Sequence, residues 1–167
     1  MSHFTSLNHI GFAVSDLDRS IRFYSDLLNE PPYFKEIYDV PYIGDLVGYP
    51  GAIQYAAFFR IPGQASVFLE LIQYLNPVSQ KVSMEAYNAG NSHLCLATSD
   101  LDAAYHHIVA IGGKPRSENI VTSNYGVYEG ARSMFFRDID EITIQIVEIP
   151  EGMDPTGRNQ DTSKVSL

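Results

Sequence analysis

Residues 9–18 read HIGFAVSDLD, and residues 93–102 read HLCLATSDLD. Six of the ten aligned positions are identical, and Ile10/Leu94 and Phe12/Leu96 exchange one apolar side chain for another. From position 9 to position 93 is 84 residues, so the chain carries an internal repeat of long period. Each phrase predicts a strand running into a capped helix. Ser15 and Ser99 stand where an N-cap is expected, and Asp16 and Asp18 fall where a first helical turn favours carboxylates.

Working outward, Leu17, Ile21, Tyr24 and Leu28 recur at helical spacing and predict a helix over 17–28, ended by Pro31-Pro32. In the second copy Ala104, Ile108 and Ile111 form a helical stripe that stops at Gly112-Gly113. After the first helix, 33–50 reads as a strand with a loop excursion, and Ile53–Arg60 and Ser66–Gln73 read as strands on either side of a Pro62-Gly63 turn. After the second helix, polar and glycine-containing sequence leads to strands at Ser133–Arg137 and Ile142–Ile149 around an Asp138-Ile139-Asp140 turn. Each half is therefore strand, helix, then about three strands. The expected fold is α+β: one βαβββ module over 7–75, a connector over 76–91 with room for a short helix, a second module over 92–150, and a polar tail over 151–167.

Composition narrows the function. The chain has 167 residues, 45% of them hydrophobic and 19% charged, enough to build a core. The formal net charge of −9 argues against nucleic acid and anionic membrane surfaces, both of which attract basic patches. No apolar run approaches the length of a membrane span. A single cysteine, Cys95, forbids an internal disulfide, and a cytoplasmic location is the simple expectation.

The repeat also carries chemistry. Each half closes on a strand with a glutamate among apolar neighbours: Glu70 in FLELI and Glu148 in IVEI. Strand alternation puts small residues on the face of each histidine, Gly11 and Ala13 beside His9, and Cys95 and Ala97 beside His93. Two imidazoles and two carboxylates converging on one centre would make a divalent transition-metal site of mixed nitrogen and oxygen donors with positions open for substrate. Taken singly, each of these four is an ordinary strand residue; their recurrence in both halves is the signal. Lys114, Arg116 and Arg132 are candidates for holding an anionic group. Asn124-Tyr125-Gly126 with Tyr128 is a candidate loop over the site.

The segments NHIGFAVSDLDRSIRFYSDLL, FLELIQYLNP, SHLCLATSDLDAAYHHIVAIGG and ARSMFFRDIDEITIQIVE resemble the vicinal oxygen chelate superfamily, over about residues 7–149. That group includes glyoxalase I, methylmalonyl-CoA epimerase, extradiol dioxygenases, and fosfomycin- and bleomycin-resistance proteins. The resemblance implies two βαβββ modules forming an open, cup-like mixed sheet around a metal. Its ligand positions carry over to His9, Glu70, His93 and Glu148, a set similar to that of nickel- or cobalt-type glyoxalases. Extradiol dioxygenases use two histidines and one glutamate, which His9, His93 and Glu148 would also supply. Bleomycin-binding members lack the metal set. The Asp-Pro-Asp-Gly turn common in the family is Asp138-Ile139-Asp140-Glu141 here.

The resulting expectation is a metal-dependent lyase or isomerase that stabilises an enediolate or enolate of a small oxygenated substrate. Nickel, cobalt, zinc, iron and manganese all remain open as the metal. Glu70 or Glu148 would be the catalytic base, and Tyr125, Tyr128 and Arg132 are the candidates for substrate contact. An iron-dependent ring-cleaving dioxygenase and a non-catalytic drug- or metabolite-binding protein are the alternatives. A homodimer is the expected assembly, with a site built within one chain an equal alternative.

Overall fold

The structure is a computed structural model that describes residues 3–154. The chain divides between Ser83 and Met84 into two compact units, and the division falls inside the 76–91 connector. The tail beyond Asp154 lies outside the described residues.

In the first unit the order is β1 (His9–Ala13), α1 (Leu17–Leu28), β2 (Phe34–Tyr38), α2 (Pro41–Val47), β3 (Ile53–Arg60) and β4 (Phe68–Asn76). The sheet runs β1-β4-β3-β2. β1 and β4 are parallel, with His9 opposite Phe68 and Gly11 opposite Glu70; the other two pairings are antiparallel. Most of the core lies on the face where Phe12, Leu69, Leu71, Ala57 and Phe59 are buried and α1 packs on β3 and β4. Helix α1 spans the expected residues, but its cap is Asp16 rather than Ser15: the Asp16 carboxylate accepts from the Arg19 N–H. The helix stops at Asn29, in the left-handed conformation that Asn tolerates better than most residues, two positions before the prolines. The buried stripe is Leu17, Ser20, Phe23, Tyr24 and Leu28, so Phe23 replaces Ile21 on the core face. The excursion expected over 33–50 contains α2, started by Pro41 at its first turn.

The second unit repeats the plan: β5 (His93–Thr98), α3 (Leu101–Ala110), the two-residue strands β6 (Lys114–Pro115) and β7 (Val121–Thr122), a 3-10 turn (Gly126–Tyr128), β8 (Arg132–Arg137) and β9 (Thr143–Glu148). Its sheet runs β5-β9-β8-β6, with β7 also paired to β8. β5 and β9 are parallel, with His93 opposite Thr143, Cys95 opposite Gln145 and Thr98 opposite Glu148. Leu94, Met134, Phe136, Ile144 and Ile146 are buried on the face that receives Leu101 and Ile108 of α3. The cap is again the aspartate, Asp100, accepting from the Ala103 N–H, and not Ser99. Residues 77–92 hold turns and no helix. Late in the connector, Glu85 bonds Arg116 and Arg137 and so ties that segment to the second sheet.

The fold is therefore α+β, with two mixed sheets of βαβββ type and no closed barrel. Among the described residues no helix is long and apolar enough to cross a membrane.

Candidate metal centre and the two inner faces

In each sheet the face away from the helix carries the histidine. Residues opposite one another in the ladder point to the same side. In the first unit that side carries His9 and Gly11 of β1, Phe68 and Glu70 of β4, Phe58 and Arg60 of β3, and Phe34 and Tyr38 of β2.

His9 and Glu70 meet there. His9 Nε2 lies 3.3 Å from Glu70 Oε2. The His9 ring stacks on Phe68, with centroids 5.0 Å apart and planes at 26°, and its Nδ1 is 2.8 Å from Asn8 Oδ1. A proton on Nδ1 that donates to Asn8 leaves the Nε2 lone pair facing the carboxylate, an arrangement that asks for a proton or a cation between the two. Burial pushes the Glu70 carboxyl above its usual range, while the imidazole of His9 pulls it down. Gly11 lies opposite Glu70, and a Cβ there would meet Glu70 Oε2 at 3.4 Å, an ordinary contact.

These residues fit one half of a metal site. Two donors each about 2.0–2.2 Å from one ion, at tetrahedral or octahedral angles, stand roughly 3.0–3.5 Å apart. The His9–Glu70 separation falls in that interval, and one imidazole plus one carboxylate suits a divalent transition ion.

The second unit departs from the expected symmetry. The position two beyond the histidine's ladder partner is Glu70 in the first sheet and Gln145 in the second. Gln145, not Glu148, therefore shares the His93 face, and an amide replaces the carboxylate. Glu148 stands opposite Thr98, on the helix side. There its Oε2 accepts from Arg132 Nη1 at 2.8 Å, and Arg132 Nη2 bonds Asp102 in the first turn of α3, also at 2.8 Å. Gln73, three residues after Glu70, is the first-sheet counterpart, and its side-chain oxygen accepts from the Leu17 N–H at the start of α1. Glu148 thus ties sheet to helix as Gln73 does. The structure brings His9 and Glu70 together, and it puts His93 and Glu148 on opposite faces of the second sheet. His93 makes an edge-to-face contact with Phe135, with centroids 5.3 Å apart. Among the described residues no group of three or more His, Cys, Asp or Glu side chains is gathered where it could hold a metal ion.

The signal that finds Gln145 is alternation. Ile144 and Ile146 are core residues, and Glu148 shares their parity; Gln145 is the polar residue of the other parity.

The remaining candidates lie elsewhere. The loop carrying Tyr125 and Tyr128 enters β8 at Arg132, opposite Glu148, whereas His93 sits opposite Thr143 at the other end of β9. Tyr125 is 87% exposed. A cleft of about 410 Å³ at that end is lined by Ser99, Gly130, Arg132, Glu148, Pro150 and Glu151. The cations considered for an anionic group are all engaged: Lys114 with Glu141, Arg116 with Glu85, and Arg132 with Asp102 and Glu148. Cys95 faces the His93 side, and burial pushes its thiol pKa up, away from thiolate reactivity.

Comparison with known proteins agrees with this architecture. The model of the Glyoxalase/Bleomycin resistance protein/Dioxygenase superfamily matches residues 6–146. A glyoxalase family protein from Bacillus cereus superposes with a TM-score of 0.75 at 18% identity, over 89% of this chain and 98% of that one. A glyoxylase/bleomycin resistance protein/dioxygenase domain from Frankia sp. EAN1pec gives 0.63 at 17% identity, over 88% and 99%. A fosfomycin resistance protein from Listeria monocytogenes, complexed with Mn(II) and sulfate, gives 0.57 at 17% identity, over 90% and 97%. These likenesses are of fold. No curated protein sequence matches significantly. With two βαβββ sheets, a histidine opening each and a family model spanning nearly the whole of both, the chain belongs to the glyoxalase/bleomycin resistance protein/dioxygenase superfamily.

Proposed function

We propose that the chain is a metal-dependent enzyme of the lyase or isomerase type, moving a proton on a small oxygenated substrate. The observation that carries this reading is the His9–Glu70 pair, 3.3 Å apart with its carboxyl pushed up by burial. A divalent transition metal held by His9 Nε2 and Glu70 would supply Lewis acidity to adjacent oxygens of the substrate. His9 holds its position through Asn8 and the Phe68 ring. The Glu70 carboxylate, through the oxygen that does not hold the metal, would take the proton from the carbon beside the substrate carbonyl and return it to the neighbouring atom. Glu148 has no part in this, being bonded to Arg132 on the other face.

Gln145 favours one second reading. With an amide at that position the His93 face carries no carboxylate, so the chain offers one carboxylate fewer than the four-ligand set, as ring-cleaving dioxygenases do. The homodimer expected from the sequence belongs to the proposal, and light scattering measures it.

The test combines metal titration with solvent-deuterium exchange at the α-carbon of hydroxyacetone, followed by NMR. We expect the wild type to bind one divalent ion per chain and to catalyse exchange. Glu70→Gln should weaken the metal at least about 100-fold and abolish exchange, and His9→Ala should weaken the metal. Oxygen uptake by the iron-loaded protein, without exchange, would select the dioxygenase reading. A wild type that stays metal-free after supplementation, or undiminished exchange in Glu70→Gln, would overturn the proposal.

A further inference from the structure

Lys114, Arg116 and Arg137 stand on the histidine-bearing face of the second sheet. His93 (β5), Thr143 (β9), Arg137 (β8) and Lys114 (β6) are successive ladder partners and form one row across it. Arg116 comes two residues after Lys114, so it shares that side, and its N–H donates to the Phe135 carbonyl of β8 at 2.8 Å. Arg137 is two strands from His93, about 10 Å at ordinary strand spacing.

Among the described residues two carboxylates meet these cations, and they are held differently. Glu141 bonds Lys114 and Arg137. It sits in the β8–β9 turn, which the buried Asp138 carboxylate pins by accepting from the N–H groups of Asp140 and Ile142. Glu85 comes from the connector, outside any strand or helix. One of its oxygens accepts from Arg116 at 2.9 Å, and the other accepts from Arg137. The segment behind it closes on itself. The Glu85 carbonyl accepts from the Asn88 N–H and from Asn91 Nδ2, both at 2.9 Å. Glu85 is thus the side chain of a local turn, laid between two guanidinium groups of the sheet. Its side chain is 33% exposed and that of Arg137 24%, so water reaches the contact and keeps it weak.

Guanidinium groups are the usual protein partners of carboxylate ligands, and here the occupant of the pair is the chain's own. We propose that Arg116 and Arg137 form a carboxylate-binding site on the second module, and that the 85–91 turn is a latch whose Glu85 carboxylate fills the site until a ligand carboxylate displaces it. The step exchanges one ion pair for another. It needs no metal, so it stands apart from the His9–Glu70 reading. A tethered carboxylate competes at an effective concentration on the order of millimolar, so removing its charge should favour an external one.

The test titrates isotopically labelled protein with succinate at constant ionic strength. NMR follows the Arg116 and Arg137 side-chain signals and amide hydrogen exchange over 85–91. Succinamide, the neutral diamide, is the control. We expect succinate to bind the wild type weakly and to speed exchange at Asn88 and Asn91 severalfold as the turn is released. Glu85→Gln should bind succinate at least about tenfold tighter, because the tethered competitor is gone. In that variant exchange over 85–91 should already be fast and should not respond to succinate. Adding Arg116→Gln or Arg137→Gln to Glu85→Gln should weaken succinate at least about tenfold, the worth of one hydrogen bond to a charged group. Succinate affinity unchanged in Glu85→Gln, wild-type exchange over 85–91 unmoved by succinate, or succinamide binding as well as succinate would each overturn the inference. The exchange measurement uses the wild type alone, so it decides the matter even where a variant fails to fold.

Discussion

The closing strands of the two modules read ELIQ at 70–73 and QIVE at 145–148. The same two positions carry the same two residue types in opposite order. In the first sheet the carboxylate faces the histidine and the amide ties strand to helix. In the second the amide faces the histidine, and the carboxylate makes the tie through Arg132 to Asp102. Residues three apart on a strand point to opposite faces, so exchanging the pair moves a negative charge from one side of the sheet to the other while leaving composition unchanged. The two modules share a skeleton and differ in chemistry. The inner face of the first module bears a paired carboxylate and an aromatic ladder, and that of the second a neutral amide and an ion-paired Arg137.

If the skeleton is shared, equivalent core truncations should cost alike. Leu71→Ala and Ile144→Ala each remove a side chain of zero exposure from the helix-facing side. Each should lower unfolding stability by about 2–5 kcal/mol in chemical denaturation. A large effect in one module only would break the equivalence.

The chemical difference is sharpened by exchanging the amide and the acid. Glu70→Gln should weaken metal binding by at least about 100-fold, beyond the roughly 10–100-fold typical of residues behind a ligand. Gln145→Glu should add a second imidazole–carboxylate pair and strengthen binding, and Glu148→Gln should leave it unchanged. A titration in which Glu148→Gln behaves like Glu70→Gln would break the assignment of faces.

Smaller effects test the helix starts. Asp16→Ala and Asp100→Ala should each cost about 1 kcal/mol, while Ser15→Ala and Ser99→Ala cost much less.

The smallest contrast is in pH. Arg116 and Arg137 hold Glu85 below its usual carboxylate pKa, and Arg137 and Lys114 do the same for Glu141. Their folded pKa values lie under the unfolded ones, so their stabilisation is full above the unfolded pKa and fades as pH falls through the folded one. Glu70 has the opposite sign. Its folded pKa is raised, so in the metal-free chain its contribution is most favourable at low pH and is lost as pH rises through the folded value. Denaturation of the metal-free protein from pH 3 to 7 should show Glu70→Gln removing a loss of stability on the rising limb, and Glu85→Gln removing a gain.

The repeat, the α1 span and the main strands were legible in the sequence because each follows a local rule: period-3.6 stripes, apolar runs of strand length and turn residues between them. The caps were misplaced by one residue, because Ser and Asp are both good caps and only backbone geometry chooses between them. Helix α2 went unseen because seven residues holding a proline, a glycine and an aspartate give too short a stripe. Within the site, the recurrence of a histidine and a glutamate in each half pairs His9 with Glu70, which the structure brings within 3.3 Å. Glu148 is mispaired by matching residue types, although its parity already sets it on the face of Ile144 and Ile146.

The sequence by itself determined that two copies of one module exist, that each opens on a histidine, and that the formal net charge is −9. Only tertiary structure decided the register that sets Phe68 opposite His9 and Thr143 opposite His93, and so Glu70 and Gln145 beside them. Which face a side chain occupies depends on strand register, and register is set by pairing with residues some sixty positions away along the chain in the first module and about fifty in the second.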